Sequence, residues 1–310
     1  MLQRVLFGPQ RPVLNLGEAF AGAMIPDAPV GVISAGWQEA EGDFSELAAI
    51  VDRPLVDLNL YHRAEEVFAG DEQLSTAYRQ RQDRLQELQR LYRQRLRQLT
   101  IAARQVRRAD APADLVAAEY RHAIAQLRAL DRHHLHRIES VYAEFAGPVS
   151  AANSALLAGH IAAIEERIAR CETVVLTGGN VMVLLNRLQL FGMRSLLASR
   201  HLVAWSAGAM VLSDRVVLFH DSKSLGRRDA ELLGAGMGIV PGYVLLPDAT
   251  RRLQGRDTLR VSLFSGRFSP AQCVTLDSGA CLRFEGQAVA AAQRIDCLTS
   301  RGGITRLRSP

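Results

Sequence analysis

The sequence predicts an α/β fold on a parallel sheet, with an α-helical hairpin inserted into it. Three observations carry that prediction. Short β-rich runs bounded by turn residues recur at helix-length intervals over residues 1 to 61. Residues 62 to 146 switch to a glycine-poor, Arg- and Gln-rich helical periodicity, and from about 150 a dense strand, turn and helix alternation returns. The expected organisation is an α/β core from residues 1–61 and 147–310, with residues 62–146 as the inserted hairpin. With 48% apolar residues the composition is that of a globular protein, which excludes disordered and fibrous classes.

The first strands are read at Arg4-Val5-Leu6-Phe7-Gly8, at Val30 to Gly36 and at Leu55-Val56-Asp57-Leu58. Glycine is then absent between Gly70 and Gly147. Leu85, Leu88, Tyr92, Leu96 and Leu99 recur at three- and four-residue spacing and share one helical face. Asp110-Ala111-Pro112 interrupts that helix, because proline is tolerated only in a first turn. A second periodic segment runs through Leu115, Leu127, Leu130, Ile138, Val141 and Phe145 and pairs antiparallel with the first. After a helix through Ile161, Ile164 and Ile168, Thr173 to Thr177 reads as a buried strand ending in Gly178-Gly179-Asn180. Another helix follows, and then the strand His201 to Trp205 runs straight into Ser206.

A strand that stops at a serine flanked by small residues, with a helix starting at once, is the layout of a nucleophile elbow. The turn is sharp enough that only small side chains fit two residues before and after the serine, and Ala204 and Gly208 satisfy this. The following helix aims its first amides at the site, so the Ala207 N–H can stabilise an oxyanion. A second donor would come from the Gly178-Gly179 turn, since parallel strands place both turns at the same edge of the sheet.

The run from Val174 to Met210, V-V-L-T-G-G-N through V-A-W-S-A-G-A-M, resembles the aspartyl dipeptidase (dipeptidase E) and cyanophycinase group of serine peptidases. The likeness is specific over about residues 174 to 250, covers residues 1 to 61 in outline, and is absent from the hairpin. It implies the fold of the class I glutamine amidotransferases, a three-layer sandwich with a mostly parallel sheet. It also implies a serine, histidine and acid triad. Ser206 matches the nucleophile, Gly178 and Gly179 with Asn180 match the oxyanion turn, and Asp221 matches the acid in spacing. The base is where this chain departs from the pattern. The matching stretch is Leu245-Leu246-Pro247-Asp248-Ala249, so Asp248 stands at the base position, and no histidine occurs after His220. Leu276-Asp277-Ser278 matches the alternative, later acid strand of the cyanophycinases, with Ser278 in the acid's place. His220 is the remaining candidate base; His201 lies at the far end of its strand, about 16 Å from Ser206.

An aspartate, with an ordinary pKa of about 3.9, is a far weaker base than histidine. Losing the histidine of a serine triad costs on the order of 10⁶ in rate. Two functions therefore stay open: a dipeptidase E-like serine peptidase with weak or lost hydrolysis of small or acidic peptides, and a non-catalytic peptide- or partner-binding protein on the peptidase fold. A glutamine amidotransferase activity is disfavoured, because that chemistry uses cysteine where this chain has Ser206. No cofactor and no metal site is expected; His133, His134 and His136 read as a surface or hairpin-interface cluster. The chain has 36 Arg and one Lys, and Arg79 to Arg108 hold ten Arg against Asp83 and Glu87. With little aromatic interleaving this reads as a solvated helix face, so nucleic acid is disfavoured as a partner, whereas the hairpin is a candidate surface for homo-oligomers or a protein partner. Without a signal-peptide pattern or an apolar stretch of about 20 residues, a soluble cytoplasmic protein with reduced cysteines is expected.

Overall fold

The computed structural model describes residues 1–21, 24–219, 229–253 and 255–307. In chain order the elements are β1 (Gln3–Phe7), a 3-10 turn (Leu16–Ala19), β2 (Val30–Ile33), a second 3-10 segment (Ala35–Ala40), α1 (Ser45–Val51), β3 (Leu55–Asp57), α2 (Leu60–Gly70), α3 (Glu72–Arg107), α4 (Ala113–Glu144) and α5 (Ala155–Ala169). There follow β4 (Thr173–Leu176), α6 (Val181–Leu190), α7 (Met193–Ala198), β5 (His201–Trp205), α8 (Ala207–Leu212), β6 (Arg215–Leu218), β7 (Glu231–Ala235), β8 (Tyr243–Pro247) and α9 (Ala249–Arg252). The chain ends with α10 (Thr258–Phe268), β9 (Gln272–Leu276), β10 (Cys281–Glu285), β11 (Ala288–Gln293), β12 (Asp296–Leu298) and β13 (Ile304–Arg306).

The main sheet has seven strands in the order β11-β10-β1-β5-β4-β2-β3. Its β1, β5, β4, β2 and β3 run parallel, and β10 and β11 close one edge antiparallel. Alternate residues of each strand feed opposite layers. Leu6, Val174, Leu176, Leu202 and Ala204 pack with α2, α5, α6 and α8 on one face. Val5, Phe7, Val175 and Val203 pack with Leu16, Phe20, Leu47 and Val51 on the other. Burial on both faces explains why these strands read as continuous apolar runs. The expected mixed α/β fold with a mostly parallel central sheet is thus the observed one. The strands beyond Ser206 leave that sheet: β6 and β7 form a separate ribbon, and β8 pairs parallel with β9 in a four-stranded sheet of order β13-β12-β9-β8.

Helices α3 and α4 pack along each other, with the break at Pro112 where the sequence places it. Asp71 caps α3 by accepting the Leu74 N–H at 2.9 Å. The helices do not stand apart from the rest. Leu60, Ala64, Val67, Leu74 and Tyr78 join the core on one face of the main sheet. Tyr92, Leu96, Leu127 and Leu130 share a second core with Phe264 and Phe268 of α10 and with Val244, Leu246 and Cys273 of β8 and β9. Leu115 departs from the expected buried stripe and is 56% exposed, because it lies in the first turn of α4, ahead of the buried stretch that begins at Ala123.

A buried polar network fastens this assembly. The Arg267 guanidinium donates to both carboxylate oxygens of Asp131, at 2.7 and 2.8 Å, to the Ala230 carbonyl at 2.6 Å, and to the Tyr92 hydroxyl. The Tyr92 hydroxyl donates to Asp131 at 2.9 Å and accepts the Leu232 N–H at 3.1 Å. His134 stacks on Tyr92 with centroids 4.0 Å apart, and its Nε2 lies 2.8 Å from Gln89 Oε1. The three neighbouring histidines therefore diverge: His134 is buried, while His133 and His136 are exposed. All four cysteines are free; Cys171 and Cys273 are buried, Cys281 and Cys297 half-buried. Among the described residues no helix is long and apolar enough to cross a membrane.

Candidate active site

β5 ends at Trp205, and α8 starts at Ala207. Ser206 between them has φ 50° and ψ −115°, a left-handed-side conformation that side chains rarely adopt. Such backbone strain costs on the order of 1–3 kcal/mol and persists only when the surroundings enforce it. Here the Ser206 N–H donates to the Phe7 carbonyl at 3.1 Å, and its carbonyl accepts the Met210 N–H at 3.0 Å. Neighbouring backbone also crowds the turn. A methyl group on Gly208 would lie 2.7 Å from the Thr177 carbonyl oxygen and closer still to that of Leu176. Ala204 is wholly buried. The strand, turn and helix around Ser206 thus have the geometry of an elbow that presents the side chain at the carboxyl edge of the main sheet.

The turn after β4 lies against this elbow. A Cβ on Gly178 would stand 3.3 Å from Ser206 Cβ and 3.1 Å from Trp205 Nε1. Gly179, at φ 108°, passes too close to the Gly36 carbonyl to carry a side chain. Asn180 is the N-cap of α6, its Oδ1 accepting the Met182 and Val183 N–H groups at 3.0 and 3.2 Å. That use occupies the amide oxygen, and its Nδ2 lies 3.4 Å from Gln38 Oε1. Among the described residues the N–H groups of Gly179 and Ala207 have no backbone hydrogen-bond partner. Free backbone donors close to a serine are of the kind that can stabilise a developing oxyanion.

Asp248 sits at the end of β8, in a left-handed conformation with φ 58° and ψ 39°. Its N–H donates to the Leu276 carbonyl at 3.0 Å. Its Oδ2 accepts from Arg251 Nε at 2.6 Å and lies 3.5 Å from Arg252 Nε. A Cβ on Gly8, next to the Phe7 that binds Ser206, would meet the Leu276 and Asp277 carbonyls. The two strand ends therefore abut, although they belong to different sheets. Among the described residues no side chain hydrogen-bonds the Ser206 hydroxyl, Asp248 included. Asp277 accepts from the Thr250 N–H and hydroxyl at 2.9 and 2.8 Å, and Ser278 Oγ accepts the Val13 N–H at 3.0 Å. His201 Nδ1 accepts the Gln3 N–H at 3.1 Å at the opposite edge of the sheet. His62 and His160 face Glu41 and Glu66, at 3.2 and 3.5 Å. His220 and Asp221 lie outside the described residues.

Two features of the segment after β2 escape a reading of the sequence. The turn after β2 carries Trp37, whose ring is 6.5 Å from that of Trp205, and Gln38, which shares the strain of Ser206 at φ 59° and ψ −123°. Glu41 is buried, and burial raises its pKa; it accepts the Tyr61 and His62 N–H groups at 2.7 and 3.0 Å and so caps α2 from a distant loop. Gly36 was the one available signal for the first feature: its Cβ would lie 2.6 Å from the Gly178 carbonyl. Nothing local marks Glu41, because its partners are 20 residues away.

Comparison with known proteins adds a family. The model of peptidase family S51 matches residues 132–291, just over half of the chain, from the later part of α4 into β11 and including Ser206. No curated protein matches. Among solved structures, a peptidase from an acI-B1 Actinobacterium is similar at 12% identity and a TM-score of 0.45, over 100% of this chain and 95% of that one.

Proposed function

The chain belongs to peptidase family S51, and from that premise we propose that it is a dipeptidase E-like serine peptidase homologue in which hydrolysis of small or acidic peptides is weak or lost. Ser206 takes the place of the nucleophile, and the Gly178-Gly179 turn with the Ala207 N–H forms the oxyanion pocket. One observation carries the reading: the carboxylate at the base position, Asp248, is engaged by Arg251 and Arg252 instead of by Ser206. A carboxylate that accepts a charge-assisted hydrogen bond from one guanidinium group and has a second within ion-pair distance is a poor acceptor for the serine proton. Without a group that takes this proton in the transition state, the hydroxyl is a weak nucleophile.

A non-catalytic peptide-binding role is the second reading. It is favoured by the unpartnered Gly179 and Ala207 amides, which can hold a peptide carbonyl or carboxylate without cleaving it. Incubation with a fluorophosphonate and with Asp-Xaa dipeptides tests both readings. The wild-type protein is expected to give neither labelling of Ser206 nor cleavage, and Asp248→His is expected to gain both. Dipeptide binding measured by calorimetry on the inactive wild type would favour the second reading. Robust wild-type turnover that disappears in His220→Ala would overturn the proposal and establish His220 as a relocated base.

A further inference from the structure

We propose that the indoles of Trp37 and Trp205, with Phe44 beside them, form an apolar subsite that takes an aromatic side chain of the peptide bound at the Ser206 elbow; the proposal rests on the reading of that elbow as a peptide site. The two indoles stand against the glycine turn that supplies the oxyanion donors. Trp205 Nε1 and Ser206 Cβ lie 3.1 and 3.3 Å from one point, the position of a Cβ on Gly178, and Trp37 Cδ1 lies 3.1 Å from the position of a Cβ on Gly179. Outward from there the wall continues. The Trp37 ring is 6.5 Å from that of Trp205 and 6.4 Å from that of Phe44, and all three rings are half-buried.

Packing does not account for this wall. Trp205 and Phe44 rest on the core of one sheet face, whereas among the described residues Trp37 joins no hydrophobic core. The residue after it, Gln38, holds its strained φ 59° and ψ −123°, and strain of this kind gathers at ligand-binding positions. Met182, in the first turn of α6, adds a 47% exposed apolar side chain next to the glycine turn. The chemistry of the wall selects the ligand. Its rings, Met182 and the Gln38–Asn180 amide pair carry no charge, so an acidic side chain placed here would lose water without gaining a counter-ion. An aromatic ring instead covers the apolar surface and meets rings at stacking or edge-on distance. Among the described residues neither indole N–H has a hydrogen-bond partner, so both are donors free for peptide oxygens.

The chain has two tryptophans, and both lie in this wall, so their emission reports its occupancy. Calorimetry and tryptophan fluorescence of the full chain, with Asp-Phe, Phe-Gly, Asp-Gly and Gly-Gly as probes, test the proposal. At least one phenylalanine dipeptide is expected to bind roughly tenfold or more tightly than Asp-Gly and Gly-Gly, from the burial of one ring, and to shift the emission. Trp37→Ala should abolish that preference, and Trp37→Phe should keep most of it. Met182→Glu, at an exposed position where substitution leaves the fold intact, should narrow it. Equal binding of the four dipeptides, binding of none, tighter binding of Asp-Gly than of both phenylalanine dipeptides, or a preference that survives Trp37→Ala and Met182→Glu would overturn the proposal. Cleavage by the wild type would overturn only the reading of weak or lost hydrolysis, because the same preference would then be read from kcat/KM.

Discussion

Removal of the Asp131 carboxylate would strand a buried charge. The Asp131 and Arg267 side chains are 5% and 2% exposed, and two hydrogen bonds of 2.7 and 2.8 Å join them. Burial opposes the Arg267 charge, yet Tyr92 and Asp131 hold its pKa above the usual arginine value, so the guanidinium stays charged. In Asp131→Ala that cation loses its carboxylate partner and keeps, as hydrogen-bond acceptors among the described residues, the Ala230 carbonyl and the Tyr92 hydroxyl. Breaking a buried pair from one side costs about 3–5 kcal/mol. At roughly 2–4 °C per kcal/mol for a chain of a few hundred residues, the melting temperature should fall by about 10 °C. Urea unfolding followed by tryptophan fluorescence measures the loss directly. The decisive variant removes both charges: Asp131→Leu combined with Arg267→Met should be more stable than Asp131→Leu alone, because no unpaired ion remains. A loss below about 1 kcal/mol, the level of an exposed pair, or single effects that add in the double variant, would refute the reasoning.

Acid should weaken the same region through His134. Burial lowers its pKa to about 4, against the opposing pull of the Asp131 carboxylate. The folded value lies below the ordinary 6.5, so the unfolded chain binds more protons in between; the stability is complete above about pH 6.5 and lost as pH falls toward 4, by on the order of 3 kcal/mol. Urea midpoints across this window should converge for wild type and His134→Gln at the acid end and separate at neutral pH; parallel curves would refute it. At the elbow, Gly208→Ala should cost more than about 1–3 kcal/mol, because its methyl group meets the backbone of two strand-end residues that cannot retreat. Gly147→Ala, with open space around it, should stay within about 0.5 kcal/mol in the same thermal melts. Equal effects would refute the steric account of the turn.

What the sequence by itself determined is the part of this protein that local spacing encodes. The strand ending at Trp205, the serine and the small residues at positions 204 and 208 lie within a few residues of each other, and their mutual sterics leave one backbone path. Helix periodicity and Pro112 likewise mark both long helices and the break between them. Only the tertiary structure decided the pairings across the chain. Asp131 and Arg267 are 136 residues apart, and neither position looks different in sequence from the many exposed charges around it. His134 is buried while His133 beside it is not, because helix rotation against Tyr92 and Gln89 selects which of them loses water. Asp248 stands where the sequence resemblance leads us to expect the base, but the left-handed turn at the end of β8 puts its carboxylate within reach of Arg251. Desolvation and packing act between residues that sequence separates, and they decide whether the residues around Ser206 work as a catalytic site.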